Sequence, residues 1–228
     1  MELSIFELEK RIIFTDEYVS VLEIENQRLY VEIVSRFFQL FYGNEISQPF
    51  VIHDKSGINA LKNDFVIVDN PFMLSYVSKV ASAKLQKYIL EKIQQTKEDK
   101  EITDLIEKLK IKFGEVFVDL ELDLEYNDSI SSADFLKILT PKLEFVDFYD
   151  ISKTYKNLIN ILSRLKLYKF FIFVGVRRYL DNQQVVDLYK TAKVFGINLL
   201  ILDNEIRELL PYENKLTVDK DLYEEIVC

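Results

Sequence analysis

Tryptophan is absent from these 228 residues, and cysteine and histidine occur once each. Each scarcity removes a class of chemistry. With Cys228 alone, at the last position, there is no internal disulfide framework and no thiolate zinc site. His53, as the sole histidine, excludes multi-histidine metal centres; beside Asp54 it reads as a strand-end residue satisfied by its neighbours, not a catalyst. Five glycines and four prolines are few, which favours long regular elements over a turn-rich all-β fold. No apolar run approaches the ~20 residues of a membrane span. With no signal peptide either, the expectation is a cytoplasmic protein with no membrane partner.

What is present is core-forming material. Hydrophobic residues make up 49% of the chain, with 17 Phe and 13 Tyr, enough for one large domain or a domain with an appendage. The run Y-V-S-V-L-E-I-E predicts a strand before Asn26, which caps a helix near Arg28–Phe41 ended by Gly43. P-F-V-I-H-D and D-F-V-I-V-D-N-P predict two short strands. From Phe72 to Lys112 the apolar residues fall at helical spacing in two sets, Leu74–Ile89 and Ile102–Leu109, separated by Q-T-K-E-D-K-E. Two helices joined by a turn fit this, projecting as a leg (72–112) from a head (1–71 and 113–228). Further on, Ser131 or Ser132 caps a helix that Pro141 ends, K-L-E-F-V-D-F reads as a strand, and Tyr149–Leu167 as a helix. K-F-F-I-F-V-G-V, D-N-Q-Q-V-V-D-L-Y-K-T-A-K-V-F and I-N-L-L-I-L-D then read as strand, crossover helix and strand. That order implies parallel pairing, hence an α/β fold with a mostly parallel sheet.

Charge is unevenly placed. The formal net charge is −9, and Phe113–Leu136 holds seven acids and no base, so the rest of the chain carries only −2. Within that window V-D-L-E-L-D-L-E-Y-N-D alternates acids with leucines. One reading is an amphipathic strand, with Leu120, Leu122 and Leu124 inward and the acids in water. The other is a calcium site, because calcium takes ~6–8 oxygen ligands from carboxylates, carbonyls and water. Alternate strand residues lie ~6.6–6.8 Å apart, so their carboxylates must lean together; a bend at Tyr126-Asn127-Asp128 would help.

A strand–helix opening followed by an apolar strand ending in Asp69 invites comparison with phosphate-loop nucleotide hydrolases. Those need glycines for close backbone approach and a lysine to neutralise phosphate. Here the junction reads E-I-E-N-Q-R-L-Y, with Glu23 and Glu25 directed where phosphates would sit. Nucleotide hydrolysis is not expected.

The string E-L-D-L-E-Y-N-D followed by S-x-x-x-x-F-L-K-I-L, with F-F-I-F-V-G-V-R-R-Y-L-D, I-N-L-L-I-L-D and the C-terminal K-L-T-V-D-K-D-L, resembles one family. It is the accessory adaptation protein of type II-A CRISPR systems, the Csn-two family, in its short form. The resemblance implies a degenerate phosphate-loop-ATPase-like head with a helical leg. It also implies a homotetrameric ring around duplex DNA ends, bound calcium, and no enzyme activity. Its implied partners are the other adaptation proteins and the guide-RNA-directed nuclease. It favours calcium at Glu121, Asp123, Glu125 and Asp128, with Asp119, the carbonyl of Leu122 and Asn127 as further ligands.

For DNA, the segment Pro71–Lys110 has eight lysines against six acids. Lys79, Lys84, Lys87, Lys108, Lys110 and Lys112 are candidates for phosphate contact, which gives affinity without sequence preference. Arg177 and Arg178 follow a strand at the sheet edge where α/β ligands often bind; adjacent residues diverge, so one of the two is expected to face the ligand. Two other functions compete. A metal-dependent nuclease needs carboxylates converging from several elements, whereas these come from one segment. A purely structural adaptor would recruit other adaptation proteins without touching DNA.

Overall fold

The structure is a computed structural model, and residues 1–55, 57–61, 64–119, 129–166 and 168–227 are described. In chain order the elements are β1 (Glu2–Ser4), β2 (Ile12–Ile13), β3 (Val19–Ile24), α1 (Gln27–Phe41), β4 (Val51–Asp54), β5 (Gly57–Ala60), β6 (Phe65–Val68) and α2 (Ser75–Gln94). They continue with α3 (Glu98–Asp119), α4 (Ser132–Leu139), α5 (Ile151–Arg164), β7 (Phe170–Val174), α6 (Asn182–Val194), β8 (Asn198–Asp203), β9 (Glu213–Val218) and β10 (Glu224–Val227). The chain divides into two compact units, Met1–Val77 with Phe145–Cys228, and Ser78–Glu144. The leg expected at 72–112 compares with this second, longer unit.

The first unit is built on a six-stranded sheet of order β10-β9-β3-β8-β7-β6, parallel except for the β9–β10 hairpin. The fold class is therefore α/β with a mostly parallel sheet, as the strand–helix–strand pattern predicts. F-F-I-F-V of β7 is buried at every position, and so is L-L-I-L-D of β8. Continuous apolar strands are what a parallel sheet covered on both faces requires. Each large side chain so buried contributes roughly 1.5–3 kcal/mol. A smaller antiparallel sheet, β2-β1-β4-β5, includes His53, whose Nε2 lies 3.0 Å from Ser4 Oγ.

Local signals set the helix ends. Asn26 caps α1, its side-chain oxygen accepting from Leu29 N–H at 3.1 Å, and Gly43 follows at φ 84°. Ser131 and Asp134 form a reciprocal capping box on α4, and Thr140, left-handed at φ 44°, precedes Pro141.

Two predicted strands are corrected. Val118 and Asp119, read as the start of the acidic strand, instead close α3. The helix continues because F-G-E-V-F-V keeps helical spacing, Phe113 and Phe117 meeting one turn apart with ring centroids 6.4 Å apart. Leu120–Asp128 lie outside the described residues. K-L-E-F-V-D-F forms no strand. Its backbone donors go to side chains, Leu143 N–H to Ser82 Oγ (3.0 Å) and Asp147 N–H to Thr154 Oγ1 (2.7 Å), while Phe145 alone sinks into the core.

Candidate functional site

In open parallel sheets, ligands bind beyond the carboxyl ends of the strands. Here β3 ends at Ile24, β8 at Asp203 and β7 at Val174, side by side. Past β7, Gly175 adopts φ 64°, and an added Cβ would lie 3.0 Å from Arg178 Nε. The left-handed turn it makes sends the next two arginines in different directions. Arg177 is buried and Arg178 is exposed.

Arg177 therefore does not face a ligand, contrary to its place among the DNA candidates. Its guanidinium lies 3.3 Å from Glu23 Oε1 by Nη1 and pairs with Glu213 Oε1 through Nη2. Lys215 Nζ completes the square, 3.0 Å from Glu23 Oε2 and 3.5 Å from Glu213 Oε2. Tyr189 on α6 donates its hydroxyl to Glu213 Oε1 at 2.7 Å. Backbone closes the cluster: Arg207 N–H donates to Glu23 Oε2 (3.1 Å), Leu210 N–H to Glu213 Oε2 (2.8 Å), and Lys215 Nζ to the Arg207 carbonyl (2.8 Å). The topology explains the burial. Val19, Val21 and Glu23 share a sheet face with Glu213, Lys215 and Thr217 through the β3–β9 register. The β8–β9 connection over that face is a loop, not a helix, and its carbonyls and amides supply partners.

Glu23 is thus not directed at a phosphate position, as the sequence suggested, but sealed in this cluster at 0% exposure. Burial raises its carboxyl above the usual range, outweighing the Arg207 amide and the charges of Lys215 and Arg177. Burial also raises the Tyr189 phenol, helped by the Glu213 charge. Two carboxylates face two cations, so the cluster is internally neutral. Next to it Asp203, 1% exposed, accepts from Asn204 N–H at 2.9 Å through Oδ1, while Oδ2 has no hydrogen-bond partner among the described residues. Its burial lifts that carboxyl too. At the surface Arg178 Nη2 donates to Asn204 Oδ1 at 2.8 Å.

In the helical unit, Lys79 and Lys108 are exposed and make no ion pair among the described residues, and Lys84 is half-buried. Lys87 stands 3.9 Å from Glu91, Lys110 2.6 Å from Glu107, and Lys112 2.8 Å from Glu115. The calcium candidates Glu121, Leu122, Asp123, Glu125, Asn127 and Asp128 fall outside the described residues, as does the side chain of Asp119. Among the described residues no three acidic, histidine or cysteine side chains gather to hold a metal, and no helix is long and apolar enough to cross a membrane.

Sequence reasoning did not assign roles to Glu213, Lys215, Tyr189 or Asp203. Charges alternating with apolar residues in E-N-K-L-T-V carry a signal, but without β3 as neighbour it reads as a solvated strand face.

These features define an α/β protein with a helical second unit, whose sheet-edge crevice is filled by its own charges. The family described as CRISPR-associated protein (Cas_Csn2) matches residues 50–222, and the chain belongs to it. That is an accessory family of CRISPR adaptation. Among solved structures the chain is similar to Stu0660 of Streptococcus thermophilus, with 12% identity and a TM-score of 0.53, covering 100% of this chain and 76% of that one. The likeness concerns the fold. Comparison with curated proteins finds no match.

Proposed function

We propose that this protein binds the ends of double-stranded DNA, without sequence preference, as a homotetrameric ring assisting spacer acquisition in a type II-A CRISPR system. Family membership supports the adaptation role. The observation that carries the binding reading is charge placement. The crevice cations Arg177 and Lys215 are matched by Glu23 and Glu213, whereas Lys79 and Arg178 reach the surface. With Lys84 and Lys87 they form the phosphate-contacting set. No catalytic step is assigned; the role is binding, alongside other adaptation proteins and the guide-RNA-directed nuclease.

Calcium belongs to this reading. The donor set Asp119, Glu121, Asp123, Glu125, Asn127 and Asp128, with the Leu122 carbonyl, is all oxygen, the set a hard cation takes. A bound ion offsets the densest negative charge of the chain. The acidic protein can then approach phosphate.

The test compares a linear duplex with a closed circle of the same sequence, at one salt concentration with calcium present. Threading requires an end, so the linear form should bind at least tenfold more tightly, although phosphate density is equal. Affinity should fall steeply with salt, because counterion release supplies it. Equal affinity for both forms removes the ring reading and leaves a surface binder.

A further inference from the structure

The connection from β8 to β9, residues 204–212, has no helix or strand, and none of its residues is buried. Its large apolar side chains lie partly in solvent, Ile206 and Leu209 at 40% exposure and Tyr212 at 38%. Apolar burial therefore contributes little to holding it down. Its β9 end is fixed by backbone, the Tyr212 carbonyl accepting from Val19 N–H (2.7 Å) and the Leu210 carbonyl from Glu213 N–H (3.3 Å). Upstream of that end the tethers come from the buried charges. Arg207 N–H donates to Glu23 Oε2 and Leu210 N–H to Glu213 Oε2. Lys215 Nζ donates to the carbonyls of Arg207 (2.8 Å) and Glu208 (3.3 Å), and Arg177 Nη1 to that of Glu208 (3.4 Å).

The square of Glu23, Glu213, Arg177 and Lys215 is neutral only while both acids are ionised. Around it, α6 supplies Tyr189, bonded to Glu213, and Lys193, which stands 4.3 Å from the Tyr212 ring centre. The segment's own Arg207 turns to Glu205 at 2.6 Å, and its Glu208 side chain is exposed. Asp203 closes β8, and Arg178 is directed away to Asn204. Asp219 and Glu225 line, with Lys215 and Arg207, a hollow of about 170 Å³ beside the segment. Of the two acids in the square, Glu23 is the less secured. Its Oε1 accepts no hydrogen bond among the described residues and lies 3.3 Å from Arg177 Nη1. Burial also lifts its carboxyl above the ordinary range. A proton on Glu23 leaves Arg177 and Lys215 facing Glu213 alone, one cation in excess. A buried charge that loses its partner is strongly destabilising. Water relieves it, and the least anchored cover between the square and water is the 204–212 segment.

We infer that residues 204–212 form a proton-operated strap, closed over the sheet face while Glu23 is ionised and released when Glu23 takes up a proton. Release bares the cations of Arg177 and Lys215 to solvent. The device lies wholly within the first unit and does not depend on the DNA reading.

Amide hydrogen exchange on the full chain, resolved by residue and corrected for the intrinsic pH dependence of exchange, tests this. Between pH 7 and pH 4.5 the Arg207 and Leu210 amides should lose at least tenfold in protection, while those of Leu200 and Ile201 in β8 keep theirs. Glu23→Gln keeps the volume and an acceptor for Arg207 N–H but removes the charge. It should loosen the strap at pH 7 to the level that wild type shows at pH 4.5. Adding Arg177→Met leaves one acid facing one base and should restore most of the protection, an outcome that a misfolded chain cannot produce. Unchanged protection of the two strap amides at pH 4.5 overturns the proposal, and so does an equal loss in β8, which would mean global unfolding. A double variant as loose as Glu23→Gln alone also overturns it, because charge balance would then not be what closes the strap.

Discussion

Replacing Arg177 by methionine removes one charge from a buried square of four while keeping most of the volume. Two carboxylates, Glu23 and Glu213, then share the single cation Lys215. If both stay ionised, breaking a buried pair costs about 3–5 kcal/mol. The alternative is that one takes up a proton, which sets a ceiling. From a free glutamate pKa of ~4.3, protonation at pH 7 costs ~2.7 units at ~1.36 kcal/mol each, or ~3.7 kcal/mol. At pH 5 the same step costs only ~1 kcal/mol. Burial already shifts the Glu23 carboxyl upward, in the direction of this route. With the lost hydrogen bonding at about 0.5–1.5 kcal/mol, the variant should lose ~4–5 kcal/mol at pH 7 and ~2 kcal/mol at pH 5. Against a typical total of ~5–15 kcal/mol the fold survives, weakened. Urea unfolding followed by circular dichroism at both pH values reads this directly. Adding Glu213→Gln restores one acid to one base and should recover most of the loss at pH 7. A loss below ~1 kcal/mol at pH 7, or equal losses at the two pH values, would refute the buried-charge account.

Asp203 gives a second pH test of opposite design. Its folded carboxyl is raised by burial, so its stabilising contribution is present below the unfolded pKa and lost as pH rises through the folded one. Asp203→Asn keeps the acceptor for Asn204 N–H and removes that loss, so its stability advantage over wild type should widen from pH 4 to pH 8; a difference independent of pH would sink the assignment. Calcium at ~100 times its Kd should stabilise the folded chain by ~2.7 kcal/mol, or ~5–11 °C in Tm at ~2–4 °C per kcal/mol. Asp123→Asn should lose most of that gain, and a calcium titration that moves neither protein would reject the site.

The elements legible in the sequence are those whose partners are local or whose burial is complete. Asn26 and Ser131 announced their helices because a cap bonds within three residues. The β7 and β8 runs announced buried strands because both faces are apolar. Where the deciding partner is distant, the pattern misleads. K-L-E-F-V-D-F has a strand's alternation, yet Ser82 and Thr154 take its amides. The divergence of Arg177 and Arg178 was readable from adjacency, but which one turns inward depends on Gly175 and on two glutamates 154 and 36 residues away in sequence. In the candidate site, surface charges could be named from the sequence. The buried ones could not, because a charge inside a strand reads as solvated until its counter-charge is in place.

That buried cluster gives a physical reason to expect no nucleotide at the sheet edge. A phosphate bound beyond β3 would need cations free to meet it and amides free to donate. Arg177 and Lys215 already face two carboxylates, and the amides of Arg207 and Leu210 are committed to the same two acids. Bringing in an anion would leave Glu23 or Glu213 buried with less than its present compensation, a cost of several kcal/mol that a few phosphate contacts do not offset. At the start of α1 one amide is already taken, since Asn26 accepts from Leu29 N–H. The charges that tie β3 and β9 to the turn after β7 are therefore expected to disfavour the ligand that this kind of sheet usually receives. The proposed phosphate contacts, Lys79, Lys84, Lys87 and Arg178, lie outside that cluster, where repeated phosphates of a polymer would be met one charge at a time.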